Sequence, residues 1–283
     1  NICYVLDAGR ELVGTVTLRS LLLSQGSEAV SDIMHEHVIS VNTLMDQEQV
    51  AAQFKKYDFT AMPVVDNENR LVGIITVDDI VDIMEEETTE DMEKMAAIVP
   101  SDKPYMRTTV AETYRKRIPW LLLLMVSATF TGAIIASFEN ALKAYTALTV
   151  FIPMLMDTGG NAGGQVSVTI IRGLSLGEIA YRDVPGIVWK EIRVALLCGG
   201  TLAAANFAKL LLFDHVGLAV AVTVCLTLVA AVLSAALVGG LLPIGAKKIG
   251  FDPAVMASPF ITTIVDALSL LVYFKFATVI LGI

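Results

Sequence analysis

Two patterns of apolar and polar positions follow one another along this chain. As far as Arg117 short apolar runs alternate with polar turns, whereas beyond it the apolar runs are long enough to cross a bilayer, which takes about 20 helical residues. The first region is self-similar at an offset of 59, pairing Val5 with Val64, Asp7 with Asp66, Leu12 with Leu71, Val13 with Val72, Gly14 with Gly73 and Thr17 with Thr76. Each copy predicts an apolar strand, a polar turn (7–11 and 66–70), a second strand and a helix. Between the copies, 51–57 predicts another helix.

The second region predicts five spans, at 118–138, 145–174, 189–213, 217–244 and 253–283. Positive charge collects before the first span (Arg115, Lys116, Arg117), around the second loop (Arg172, Arg182, Lys190, Arg193) and in the fourth (Lys247, Lys248). By the positive-inside rule those segments and the N-terminal module face the cytoplasm, and the odd number of spans places the C-terminus outside.

Composition agrees with this division. Across 283 residues, 55% are hydrophobic and 17% charged, with a mean hydropathy of +0.67, which excludes a wholly soluble chain. Residues 1–117 carry 11 basic and 21 acidic side chains, and the remainder 9 and 8, so the acidity belongs to the first part. A pI near 4.8 excludes a nucleic-acid binder, which needs a basic face. Cys3, Cys198 and Cys225 are too dispersed for a disulfide framework or a metal cluster. The chain starts at Asn1 in mid-pattern with no basic leader, so it predicts no signal peptide and the expectation is that a domain precedes it.

Polar residues inside the spans are the candidate chemistry. In the second span Asp157, Asn161 and Gln165 recur every four residues, which on a helix makes a stripe of oxygen and amide groups. Gly159 with Gly163 and Gly160 with Gly164 form G-x-x-x-G pairs, which alone read as helix packing. Beside that polar stripe they read as lining for a narrow watery path. The fifth span is expected to start with Asp252 as N-cap and Pro253 at its first position. Asp266 then lies about 21 Å along it, deep in the bilayer, with Thr262 and Ser269 on the same face. Glu139 and Glu191 sit at water level, where they either draw cations or are ordinary interfacial charges. His35-Glu36-His37 does not place two histidines on one helical face and reads as linker. No nucleophile–base constellation is found, so the chain is not expected to be an enzyme.

Residues 78–93 hold nine carboxylates and no Lys or Arg. As a helix they place Asp79, Asp82, Glu86, Glu90 and Glu93 in one stripe, with nothing inside the segment to compensate the repulsion. Hard divalent cations with a preference for oxygen ligands can do so.

Leu12-Val-Gly-Thr-Val-Thr-Leu18 and Leu71-Val-Gly-Ile-Ile-Thr-Val-Asp-Asp79 resemble the CBS domain, an α/β module that works as a pair, the first copy here lacking its leading elements. In that family Gly-x-x-Thr-x-x-Asp marks an adenosine site. The second copy keeps it as Gly73, Thr76 and Asp79, whereas the first has Ser20 in place of the Asp, so either a nucleotide (ATP or another adenine nucleotide) binds or the pair is a scaffold without one. With the acidic linker, the Gly-Gly-Asn-Ala-Gly-Gly-Gln run and Asp252-Pro-Ala followed by Asp266, the chain resembles the MgtE family of magnesium channels and transporters.

The resemblance implies a CBS pair over 1–77, an acidic linker helix and connector over 78–117, and an α-helical transmembrane bundle of five spans over 118–283. It implies a multi-pass protein of the cell membrane, a homodimer in the lipid bilayer, with a pore along the two-fold axis built from the second and fifth spans. Asp266 would hold hydrated Mg²⁺, with Asn161, Gly160, Thr262, Asp157 and Gln165 nearby. It implies further that cytoplasmic Mg²⁺ among Asp79, Asp82, Glu87, Glu90 and Asp91 closes the pore. Left open are channel against coupled carrier, a broader carrier for Mn²⁺ and Co²⁺, and a nucleotide-sensing regulatory membrane protein.

Overall fold

The two strand–turn–strand units predicted from self-similarity share their local geometry down to single hydrogen bonds. A computed structural model describes residues 2–101, 103–256 and 258–282. In it β1 (Ile2–Leu6) and β2 (Leu12–Thr17) pair antiparallel and lead into α1 (Leu18–Leu23) and the short α2 (Val30–Ile33). The second copy runs β3 (Val41–Asn42), α3 (Gln47–Tyr57), β4 (Ala61–Val65), β5 (Leu71–Thr76) and α4 (Val77–Met95). Its sheet is ordered β3-β4-β5, with β3 parallel and β5 antiparallel to β4.

Both hairpin turns are built by an aspartate accepting two backbone bonds. Asp7 Oδ1 accepts from the Gly9 and Glu11 N–H groups at 2.8 Å, and Asp66 Oδ1 from Glu68 at 3.0 Å and Arg70 at 2.8 Å. Arg10 and Asn69, equivalent at the offset of 59, both take left-handed φ, 69° and 60°. The turns bond each other reciprocally, Leu12 N–H to the Asn69 carbonyl at 2.9 Å and Leu71 N–H to that of Arg10 at 3.1 Å. Val41, Val50, Phe54, Met62 and Ile80 fill the core between α3, the sheet and α4. The predicted helix at 51–57 starts earlier than expected, because Asp46 caps it through the Glu48 N–H at 3.0 Å. His35 pairs through its backbone with Thr15 at the edge of β2, in keeping with a linker role.

The chain divides into compact units at 1–89 and 90–283, and α4 runs through the division. The second unit contains α5 (Val110–Ser137), α6 (Glu139–Ala144), α7 (Ala147–Ser175), α8 (Val184–Leu212), α9 (Leu218–Lys248) and α10 (Ser258–Leu281). α9 packs against α7, α8 and α10, and α5 lies on α10, where Trp120 meets Phe260 edge-on at 5.7 Å. α9 can hold this position because it presents Ala221, Ala231, Ala235, Ala236 and Gly239, small residues that let backbones approach.

Among the described residues four helices are long and apolar enough to cross a membrane: Val110–Ser137, Tyr181–Leu212, Leu218–Lys248 and Pro253–Leu281. α7, with 29 residues, is as long as these, but Asp157, Asn161 and Gln165 dilute its apolar character. The fifth expected span, 253–283, includes residues 257 and 283, which lie outside the described ones.

The start of that span differs from expectation. Pro253–Met256 is a 3₁₀ turn, and α10 begins only at Ser258. Asp252 therefore caps the turn, its Oδ1 accepting from Ala254 N–H at 2.8 Å, and does not cap the long helix. Asp266 lies eight residues into α10, about 12 Å along its axis, and the 21 Å expected from one unbroken helix does not hold.

Candidate functional site

α7 presents two different surfaces, and the period of the helix separates them. Gly159, Gly160 and Gly163 are buried, while Asp157, Asn161 and Gln165 are exposed on the single chain. A Cβ on Gly160 would come 2.8 Å from Thr262 Cγ2, and one on Gly159 2.8 Å from Val265 Cγ1, so the glycines seat α10 directly on α7. Gly163 serves α9 as well as α10, since a Cβ there would meet Ile261 Cγ2 at 2.7 Å and the Ala235 carbonyl at 3.3 Å. The glycines thus act by packing, and their polar neighbours on α7 face away from that contact.

The expected transmembrane site is divided between α7 and α10. Asn161 Nδ2 donates to Asp157 Oδ2 at 3.2 Å, and the Thr262 hydroxyl donates to the Pro259 carbonyl at 3.0 Å. Asp266 is partly buried next to Val265 on α10. Gly160 and Thr262 thus meet in the α7–α10 seam, Asp266 is half-buried four residues on along α10, and Asp157, Asn161 and Gln165 lie on the exposed face of α7. Ser269 does not join the hydroxyl row expected of it. It is fully buried, and its Oγ would lie 3.1 Å from a Cβ on Gly159, so it faces the helix contact. No group of three or more His, Cys, Asp or Glu able to hold a metal occurs among the described residues. One chain therefore supplies two carboxylates with amides and hydroxyls, a donor set for an ion that keeps its water shell.

Of the charges expected at water level, Glu139 pairs with Lys143 at 2.7 Å, and near Glu191 the Arg193 guanidinium lies over the Trp189 ring at 5.5 Å.

The acids of α4 do not form one cluster. Asp79 Oδ2 accepts from Thr76 Oγ1 and, at 2.9 Å, from Thr76 N–H, bonds that hold its carboxyl below the usual range. The equivalent Ser20 in the first copy reverses the cap, its N–H donating to Thr17 Oγ1 at 3.1 Å. Gly73 lies in open space, with nothing within 4 Å of a Cβ there, whereas one on the equivalent Gly14 would strike Met34. Asp82 is exposed, and Glu87 Oε1 accepts from Gln47 at 2.6 Å.

Glu90 and Asp91 belong to the second unit and are compensated there, contrary to the expectation that the acidic helix holds nothing to balance it. Lys94 Nζ reaches Glu90 at 2.5 Å and Asp252 at 2.6 Å. Burial pulls the Lys94 ammonium down, but its hydrogen bonds to Asp252 and Glu90 prevail and raise it above its ordinary value. Burial first, and then the charge of Asp252, push the Asp91 carboxyl up, while Ser175 bonds it at 3.2 Å. Sequence reading ended the acidic run one residue short of Lys94. The Glu90–Lys94 spacing of i, i+4 was the available signal, whereas Asp252 had none.

Comparison with known proteins adds relationship to this geometry. Residues 152–276 match the family model MgtE, described as a divalent cation transporter, and residues 30–86 match the CBS domain. The chain is similar to the magnesium transporter MgtE of Thermus thermophilus, with 39% identity over 98% of this chain and 61% of that protein. It is 39% identical to the Bacillus subtilis protein of the same name, again over 98% of this chain and 61% of the relative. A crystal structure of the cytosolic domain of the Mg²⁺ channel MgtE in complex with ATP is 46% identical over 29% of this chain and 33% of that one, with a TM-score of 0.28. The chain spans about three fifths of the length of the curated relatives it matches. The chain thus carries an MgtE family domain and a CBS domain, and its similarity to the magnesium transporter relatives runs along nearly its whole length.

Proposed function

We propose that this chain is the CBS and membrane part of a Mg²⁺-selective channel or transporter of the cell membrane, working as a homodimer. The observation that carries the reading is the α7–α10 contact, where Gly160 seats Thr262 and so sets the helix of Asp266 against the helix that carries the Asp157–Asn161 stripe. Carboxylates inside a bilayer face a bundle interior or a watery cavity. The polar stripe of α7 is exposed on one chain, and a second copy across a two-fold axis would enclose it as a path. Mg²⁺ dehydrates reluctantly and is held by one or two carboxylates through its water shell, which suits this sparse donor set.

In this reading α7 also crosses the membrane despite its polar run, which makes five spans, the N-terminal module is cytoplasmic and the C-terminus lies outside. Mg²⁺ bound among Asp79, Asp82, Glu87, Glu90 and Asp91 closes the path when the cytoplasm is replete. An adenine nucleotide binds at Gly73, Thr76 and Asp79, supported by the open space over Gly73 and by the Thr76–Asp79 cap, which Ser20 does not reproduce. A broader divalent carrier is the second reading, favoured by the family model's own description.

The test is Mg²⁺ uptake into liposomes by wild type and Asp266→Asn. Uptake is expected to fall at least tenfold with folding retained, and Mn²⁺ and Co²⁺ arms separate the two readings. Normal uptake by the variant removes Asp266 from the path.

A further inference from the structure

We infer that Lys94 is a positioning residue that docks the last turn of α4 onto the membrane unit, so that this docking requires no divalent ion. Residues 90–95 all lie in the second compact unit. Lys94 Nζ bridges Glu90, one turn back on its own helix, to Asp252, 158 residues away in sequence. Only 23% of the Lys94 side chain is exposed, and the carboxylates it joins are themselves partly covered, at 38% and 35%. Next to it, Asp91 bonds Ser175 at the C-terminal end of α7, and Met95 packs on Ile171 and Ala254. The helix stops immediately afterwards, with Ala97 at a left-handed φ of 53° and Ile98 N–H bonded to the Glu93 carbonyl at 2.9 Å.

Charge explains why the lysine matters. Glu90, Asp91 and Asp252 converge where two helix ends meet, and three carboxylates brought together repel unless a cation lies among them. Lys94 supplies that cation from within the chain. Removing one partner of a partly buried charge cluster leaves the others uncompensated, which is the costly direction. A variant without the ammonium should therefore need an external cation to hold the same turn in place. A lysine at i+4 with apolar packing at Met95 makes the dock constitutive, and of the proposed sensor acids Glu90 and Asp91 are then held by the chain itself, which leaves Asp79, Asp82 and Glu87 to respond to cytoplasmic cation. That consequence for gating rests on the proposed cation-closed gate, whereas the docking itself does not.

The experiment is amide hydrogen exchange on the purified full chain in detergent, with saturating Mg²⁺ and with excess chelator, read by mass spectrometry. In wild type residues 90–96 should exchange equally slowly in both conditions. In Lys94→Met the same segment should exchange at least tenfold faster in chelator and slow again with Mg²⁺, while Lys94→Arg should behave as wild type. Asp252→Asn is the second variant, expected to speed exchange in chelator, and exchange in α9 reports that the fold is intact. Protection of wild-type 90–96 that appears only with Mg²⁺, or protection in Lys94→Met that survives chelation, overturns the inference. Liposome flux on the same samples reads the transport proposal separately.

Discussion

Gly239 and Gly240 are neighbours on one helix, yet alanine is expected to have opposite effects at the two positions. α9 crosses α7 with Gly239 against the backbone of Gly163. A Cβ on Gly239 would come closest to the Gly163 carbonyl oxygen and lie 3.1 Å from its carbonyl carbon and 3.2 Å from its Cα. Carbon atoms in contact prefer about 3.5–4.0 Å, so the helices must separate by roughly half an ångström. No flexible side chain can yield there, since every near atom is backbone. Overpacking of this kind costs about 1–3 kcal/mol. At Gly240 the nearest atom would be Val166 Cγ1 at 3.7 Å, an ordinary contact. Replacing glycine there removes its intrinsic helix penalty of up to about 1 kcal/mol. The assay is unfolding in mixed micelles by SDS titration, followed by Trp fluorescence. The midpoint should fall for Gly239→Ala and hold or rise for Gly240→Ala. Equal shifts would show that the α7–α9 approach is looser than the Gly239–Gly163 crossing implies.

Further outcomes follow from the water-facing module. Asp82→Asn combined with Glu87→Gln, which spares Lys94 and its partners, should leave a conducting protein whose half-closing Mg²⁺ rises about tenfold, equivalent to about 1.4 kcal/mol; unchanged closure in patch-clamp currents would place the gate outside these acids. The Arg70 backbone N–H, with the Arg70 guanidinium and the Glu68 N–H assisting, holds the Asp66 carboxyl below its ordinary value. A lowered carboxyl stabilises above the unfolded pKa and loses that contribution as pH falls through the folded one. Protection at the 66–70 turn, taken relative to the intrinsic exchange rate at each pH, should therefore fall below about pH 4, and Asp66→Asn should remove this pH dependence; protection that follows the same pH course in variant and wild type would refute the link.

Local chemistry was the legible part of this protein. The hairpin turns of Asp7 and Asp66, the left-handed Arg10 and Asn69, and the helix after each second strand follow from residues a few positions apart, so the offset of 59 carries them intact. The long helices follow from run length, and the stripe of Asp157, Asn161 and Gln165 from helical period alone. Tertiary structure decided which way each surface faces. That Gly160 seats Thr262, that Ser269 turns into the contact, and that Asp252 caps a 3₁₀ turn and meets Lys94 depend on where helices cross. A crossing is set by backbone approach between segments a hundred or more residues apart, and no periodicity within one segment encodes its partner. Charge shows the same division: the acidic run and the Glu90–Lys94 spacing are visible in the sequence, but the bridge from Lys94 to Asp252 exists only once α4 ends against α7 and the turn before α10.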